Sequence, residues 1–223
     1  MSSLFPHVIT MQETIWQATL ETFYMTVASA VIAGVIGLLT GLLLVVTQPG
    51  GIVQDRSFYS VLDKVVNLLR SVPFIILLAV ISPLTSFLVG TTVGTTAALV
   101  PLVMGIFPFY ARQIQNALQE VGQGVVEAAQ SMGLSNREII FRVYLREGLA
   151  DIIRVSTLTI ISLIGLTTMA GAVGAGGLGN VAISIGYARF QNDVTFVCMI
   201  ILLVMVFAVQ FIGDRLASRF TKF

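Results

Sequence analysis

Long runs without charge dominate the order of apolar and polar residues along the 223-residue chain. A helix needs about 20 apolar residues to cross a hydrocarbon core roughly 30 Å thick. Thr22 to Val46 meets that length, and Gln48-Pro49-Gly50-Gly51 closes it with residues that break helices. Ser71 to Tyr110 is also uncharged, but it is too long for one helix and is interrupted at Thr85-Ser86 and again from Gly90 to Thr96. It reads as two spans joined by a short turn. Val155 to Ala188 follows, yet Gly171-Ala-Val-Gly-Ala-Gly-Gly-Leu-Gly179 holds too many glycines for a regular helix, so the fourth span ends near Val173. Val194 to Gly213 is the last run, followed by Asp214, Arg215, Arg219 and Lys222. The pattern predicts an all-α membrane protein with a single domain over 1–223. Its five spans lie near 22–46, 67–87, 92–112, 155–173 and 194–213, and its one long polar loop is 113–154.

Composition supports that reading: 56% of residues are apolar and 10% are charged, where a soluble domain carries about 25% charge. A net charge of +1 excludes the basic stripe that a nucleic-acid partner requires. The single cysteine, Cys198, lies in an apolar run, excludes an intrachain disulfide, and reads as a packing residue. Lysine and arginine are retained on the cytoplasmic side of a membrane. Of the 12 such residues, only Arg189 falls on one side of the five-span topology and the rest fall on the other. An amino terminus outside and a carboxyl terminus inside satisfy this division. The first twenty residues lack Lys and Arg, and the first apolar run is long enough to span, so no cleaved leader is expected.

Ten of the charged residues crowd between Arg112 and Arg154, where the chain must meet water or a soluble partner. Glu127-Ala-Ala-Gln-Ser-Met-Gly133 reads as a short helix closed by glycine, and Ser135-Asn-Arg-Glu138 has the capping-box spacing that starts another. In the second helix Ile139, Val143, Ala150 and Ile153 recur at helical spacing while Arg137, Arg142 and Arg146 project elsewhere. Periodicity alone leaves open whether this is an interfacial connector or a docking surface. Gly174-x-Gly176-x-x-Gly179 matches a dinucleotide-binding pattern but lacks the preceding strand and the spaced acid, and reads as a flexible turn. Gly37 and Gly41 have the spacing of close helix crossings, within one chain or between two copies. Pro73 lies early in the second span, and Pro101 and Pro108 lie inside the third, where each can kink its helix. Trp16, Tyr24 and Tyr59 fall near interfaces as aromatic anchors, and His7 has no cluster that would make it a ligand.

Glu127-Ala128-Ala129, three residues, Gly133 and then a helix bearing Leu145 resembles the EAA loop of binding-protein-dependent ABC importer permeases. The family pattern ends in Leu-Pro; this chain has Leu145-Arg146. Arg70-Ser-Val-Pro-Phe-Ile-Ile-Leu-Leu78, Pro108-Phe-Tyr-Ala-Arg112 and the glycine segment 171–179 resemble the methionine-importer permeases across nearly the whole chain. The resemblance implies a small type I permease of five helices with a cytoplasmic coupling loop, acting as a homodimer. It also implies two cytoplasmic ATPase subunits, an external methionine-binding lipoprotein and a bacterial inner-membrane location. Glu127 would orient the coupling helix, Ala128 and Ala129 would permit close approach, and Gly133 would make the turn. Ser162 and Met169 are candidates for the translocation path.

No cofactor or metal is expected. The two lysines, Lys64 and Lys222, sit in no phosphate-loop pattern, and one histidine with one cysteine makes no zinc site, so bond cleavage is expected to belong to the partner ATPase. A permease for another amino acid or small organic solute keeps the same architecture. An ion-coupled carrier or channel would place ionisable residues in midmembrane, where this chain shows none. A purely structural subunit gives no reason for the loop from Glu127 to Gly133.

Overall fold

The structure, a computed structural model, describes residues 6–220. Every regular element among them is helical. In chain order these are α1 (Pro6–Thr10), α2 (Gln12–Thr47), α3 (Arg56–Ser71), α4 (Phe74–Val80), α5 (Ser82–Val89), α6 (Thr95–Gln119) and α7 (Gln123–Ser131). Then come α8 (Asn136–Glu138), a wide π turn (Ile139–Tyr144), α9 (Leu145–Glu147), α10 (Leu149–Ala170), a second π turn (Gly171–Ala175), α11 (Gly177–Asn180), a third π turn (Val181–Tyr187) and α12 (Asn192–Phe220).

Among the described residues four helical stretches are long and apolar enough to cross a membrane: Gln12–Thr47, Thr95–Gln119, Leu149–Ala175 and Asn192–Phe220. The stretch expected as the second span, 67–87, is built from the end of α3 followed by α4 and α5. Its breaks fall at prolines. Pro73 disfavours a helical Val72, so α3 stops at Ser71, and Pro83 stands in the first turn of α5 without an N–H to continue α4. The first long helix begins ten residues before Thr22 because nothing after Gln12 breaks it, and Glu13 and Glu21 are carried on its first turns.

Hydroxyl side chains within the long helices bond to their own backbone. Thr19, Thr22, Thr26, Thr40 and Thr47 on α2, with Thr157 and Thr159 on α10, each donate to the carbonyl four residues earlier. This satisfies a polar group where water is scarce and explains how so many threonines enter apolar helices.

The chain forms two compact units. The first takes the residues up to Ile32, Val72–Gly105 and Ile160–Val209. Its core joins Ile15 and Ala18 of α2 to Leu178, Val181, Ala182, Val194 and Cys198. The two ends of the glycine segment expected as a flexible turn are packed inside this unit, with Gly171, Gly177, Leu178 and Gly179 buried, while its middle, 172–174, is exposed. A Cβ on Gly171 would lie 2.7 Å from the Gly176 carbonyl oxygen and 2.7 Å from the Asn180 nitrogen, so the segment folds back on itself as only glycine allows. His7, without a ligand cluster in the sequence, bonds to Asp193: its backbone N–H donates to Oδ2 at 3.0 Å and Nδ1 lies 3.0 Å from Oδ1.

The second unit takes Ala33–Ser71, Ile106–Thr159 and the residues from Gln210. Gly37 and Gly41 serve a crossing within the chain, since a Cβ on Gly41 would lie 2.5 Å from the Ala111 carbonyl oxygen and 2.7 Å from Ile114 Cβ. The same face of α6 presents Tyr110, whose hydroxyl lies 2.7 Å from Ser156 Oγ on α10. Arg112 donates to Asp63 at 2.6 Å and to Asn67 at 3.0 Å, which fixes the polar side of the amphipathic α3 against the end of α6.

Candidate functional site

The segment after α6, in the second unit, carries most of the charged residues between Arg112 and Arg154. α7 begins at Gln123 beyond Gly122 and buries Val126 and Ala129, one turn apart, against Ile139, Val143 and Tyr144 together with Val45, Ile114 and Leu118. Ile139 is fully buried, and removing a side chain of that size from water contributes about 1.5–3 kcal/mol. The short helix is therefore held by its inner face, because a helix of this length is marginal alone.

The four residues marked by the motif divide between two faces. Ala129 is 2% exposed and belongs to the packing, whereas Glu127 and Ala128 are exposed on the opposite side. Gly133 ends the helix at φ +79, with its N–H on the Gln130 carbonyl at 2.9 Å and the Leu134 N–H on the Ala129 carbonyl at 3.2 Å. This left-handed closure admits glycine freely and costs other residues about 1–2 kcal/mol.

The next helix starts as its spacing predicts. Ser135 accepts from the Glu138 N–H at 3.4 Å, and Glu138 Oε2 accepts from the Ser135 N–H at 3.0 Å and from its hydroxyl at 2.8 Å. Arg142 adds an ion pair to Glu138 at 3.4 Å. The Ser135 N–H, then its hydroxyl, and then Arg142 hold the Glu138 carboxyl below the usual carboxylate range. A depressed pKa contributes stability above the unfolded value, which is lost as pH falls through the folded one. Hydrogen-exchange protection of the amides after Asn136, corrected for intrinsic rates, should thus stay level from pH 8 to about 5 and fall only below the ordinary carboxylate value of about 4.3. Glu138→Gln should remove that fall.

Two features of this surface have no motif. Met132, 73% exposed, and Phe141, 68% exposed, are bare apolar side chains beside the capped turn, with Val125 also exposed on α7. Water-exposed apolar groups bordering small and charged ones have the makeup of a protein-docking surface. The periodicity of the π turn could have singled out Phe141, which falls off the buried Ile139–Val143 stripe. Beside α7 lies a cavity of ≈ 470 Å³ whose lining includes Glu127, Gln48, Gln119, Gln123 and Gln130. Arg146, in place of the family's proline, continues α9 as an exposed residue; the π turn precedes α9 and Gly148 ends it.

Ser162 and Met169 lie on α10 in the first unit, Ser162 partly buried and Met169 exposed. Neither lines the cavity of ≈ 380 Å³ found in that unit. Its walls are Leu78 and Ala79 of α4, Ser82 and Thr85 of α5, Thr92 to Gly94, Ala97, Ala98 and Pro101 of α6, Ala170 at the end of α10, and Val173 and Ala175 of the second π turn. No ionisable side chain lines it. Among the described residues no group of His, Cys, Asp and Glu could hold a metal ion.

The profile described as "binding-protein-dependent transport system inner membrane component" matches residues 49–222, well over half of the chain. The chain belongs to that family. As a binding-protein-dependent transport system inner membrane component it is a multi-pass membrane transport subunit. It is 47% identical over 210 residues to the probable D-methionine transport system permease protein MetI of Pasteurella multocida (strain Pm70), covering 92% of this chain and 97% of the relative. It is 47% identical over 208 residues to the methionine import system permease protein MetP of Bacillus subtilis (strain 168), covering 93% and 94%. A solved structure of the MetNI methionine ABC transporter in inward-facing conformations superposes with a TM-score of 0.93 at 40% identity, over 96% of this chain and 99% of that one.

Proposed function

We propose that this chain forms the translocation path for methionine in an ATP-driven importer of the bacterial inner membrane. Two copies would line the path, and two cytoplasmic ATPase subunits would drive it between inward-facing and outward-facing states. An external methionine-binding lipoprotein would deliver the solute. The observation that carries this reading is the near-full-length likeness to two relatives whose names specify methionine. The positive-inside rule supports an outside amino terminus and an inside carboxyl terminus: every Lys and Arg except Arg189 falls in the stretches of the second unit, Lys222 lying outside the described residues. ATP hydrolysis is assigned to the partner, since neither lysine lies in a phosphate-loop sequence. Within the single permease domain, 1–223, the loop 113–154 is assigned to coupling. Glu127 and Ala128 would touch the ATPase, Ala129 would hold the helix down, and Gly133 would fix its exit. Ser162 and Met169 are retained as path residues outside the cavity.

Reconstitution with the cognate ATPase and binding lipoprotein tests the reading: labelled methionine should accumulate only with ATP and the lipoprotein together, and uptake driven by an ion gradient alone would overturn it. In the same assay Gly133→Val should lower uptake about 5- to 30-fold, the factor set by about 1–2 kcal/mol of left-handed strain. Gly133→Asn should lose less, because a Cβ there meets nothing within 4 Å and asparagine tolerates the conformation.

A further inference from the structure

Glu21 stands one residue before the charge-free run of α2, and the glycine segment that it meets lies 156 residues away. Its carboxylate Oε2 accepts from the Gly177 N–H at 2.7 Å, while Oε1 accepts from Gln17 Nε2 at 3.0 Å. The adjacent Thr22 hydroxyl accepts from the Leu178 N–H at 2.8 Å and donates to the Ala18 carbonyl at 2.9 Å. Two consecutive side chains of α2 thus hold two consecutive amides at the head of α11. The fit is close, since a Cβ on Gly176 would lie 2.8 Å from Glu21 Oε2 and one on Gly177 would lie 2.7 Å from Thr22 Oγ1. Both glycines have positive φ, +84 and +73, so the amides turn toward α2 only along a path that glycine follows easily.

Directly before these glycines the chain builds one wall of the ≈ 380 Å³ cavity with Val173 and Ala175. The Gly94 N–H donates to the Gly174 carbonyl at 3.3 Å, tying that wall to the one formed by Thr92 to Gly94. We propose that Glu21 and Thr22 are positioning residues of the transport path: by holding Gly177 and Leu178 they set the 173–175 wall of the cavity, and releasing them opens it. A carboxylate suits this role because a charge-assisted bond to an amide is roughly twice as strong as a neutral one. Its position at the end of the uncharged run lets it reach an amide without lying in midmembrane. Because α2 holds the segment that leads into α12, a shift of α2 is transmitted to the cavity wall.

The inference rests on the chain being a permease, and its first readout is independent of the solute. In the complete transporter in nanodiscs, with Cys198→Ser as background, the buried Ala175 is replaced by cysteine and its maleimide labelling rate is measured. Glu21→Ala should speed labelling about tenfold, the low end of what a bond to a charged group supports. Glu21→Gln, which keeps a carbonyl acceptor, should stay within about threefold of the parent, since a neutral bond retains about half the strength. ATP consumed per solute imported should rise in Glu21→Ala, a change that mere loss of folded protein does not produce. Unchanged labelling in Glu21→Ala would overturn the proposal. Should that variant fail to assemble, Thr22→Val against Thr22→Ser carries the same test: faster labelling only for valine is expected, and equal rates overturn it. Labelling that responds as expected while methionine is not imported by the parent would remove the substrate reading and leave the clamp standing.

Discussion

Replacing Ala128 with arginine is expected to reduce ATP-driven uptake by about 100-fold while leaving the permease folded. Ala128 is exposed on α7 beside Glu127, so the new side chain need not enter the packed core, and such surface changes alter stability by about 0.5 kcal/mol or less. Against a partner seated on the same face, a long charged side chain in place of a methyl group removes the close approach. Losses at the centre of an interface run to about 2–4 kcal/mol, equivalent to roughly 30- to 1,000-fold. Ala129→Arg, one residue on, should behave differently. Ala129 is buried under Val126, Ile139 and Val143, so arginine there should dislodge α7 and lower the melting temperature as well as uptake. Co-purification of the ATPase together with thermal melting in detergent separates the two outcomes.

Gly179→Ala should have the largest effect on stability. Its Cβ would collide with the Thr168 carbonyl oxygen and lie 2.7 Å from Thr168 Cα and 2.8 Å from its carbonyl carbon. All three are backbone atoms of α10, so no side chain can swing aside, and overpacking of this kind costs about 1–3 kcal/mol or more. Loss of most of the folded chain from membrane extracts is expected. Gly174→Ala is the contrast: its nearest atom is Val93 Cγ1 at 3.9 Å, and the cost is confined to strain at φ +100, about 1–2 kcal/mol. Fluorescence-detected size-exclusion profiles should show Gly174→Ala folded and Gly179→Ala depleted.

What the sequence conveyed depends on how far apart the interacting residues lie. Helical spans are local, since absence of charge over twenty residues is visible directly, and α2, α6, α10 and α12 follow from it. The capping box at Ser135 and Glu138 and the glycine closure at Gly133 are local too, and both were legible together with the exposed Glu127. The broken course from Arg56 to Val89 was half legible. Pro73 reads as a residue early in one span near 67–87, the stop at Pro83 is not read from the sequence, and the Arg112 contact that holds α3 depends on Asp63, 49 residues earlier in the chain. The glycine segment reads in sequence as a flexible turn because glycine content signals either freedom or close approach, and only the fold back onto Thr168, Glu21 and Thr22 shows the close approach at its two ends. Ser162 and Met169 lie along one helix, whereas the cavity draws its walls from α4, α5, α6, the end of α10 and the π turn after it, a combination that no single stretch of sequence displays.

The most direct measurement is the accessibility of α7 with and without its partner. With Cys198→Ser as background, a cysteine at Ala128 should react readily with a bulky maleimide in the permease alone and should be protected at least about tenfold once the ATPase is bound, as expected for a residue at the centre of an interface. Equal labelling in the two states would contradict the assignment of this face to coupling.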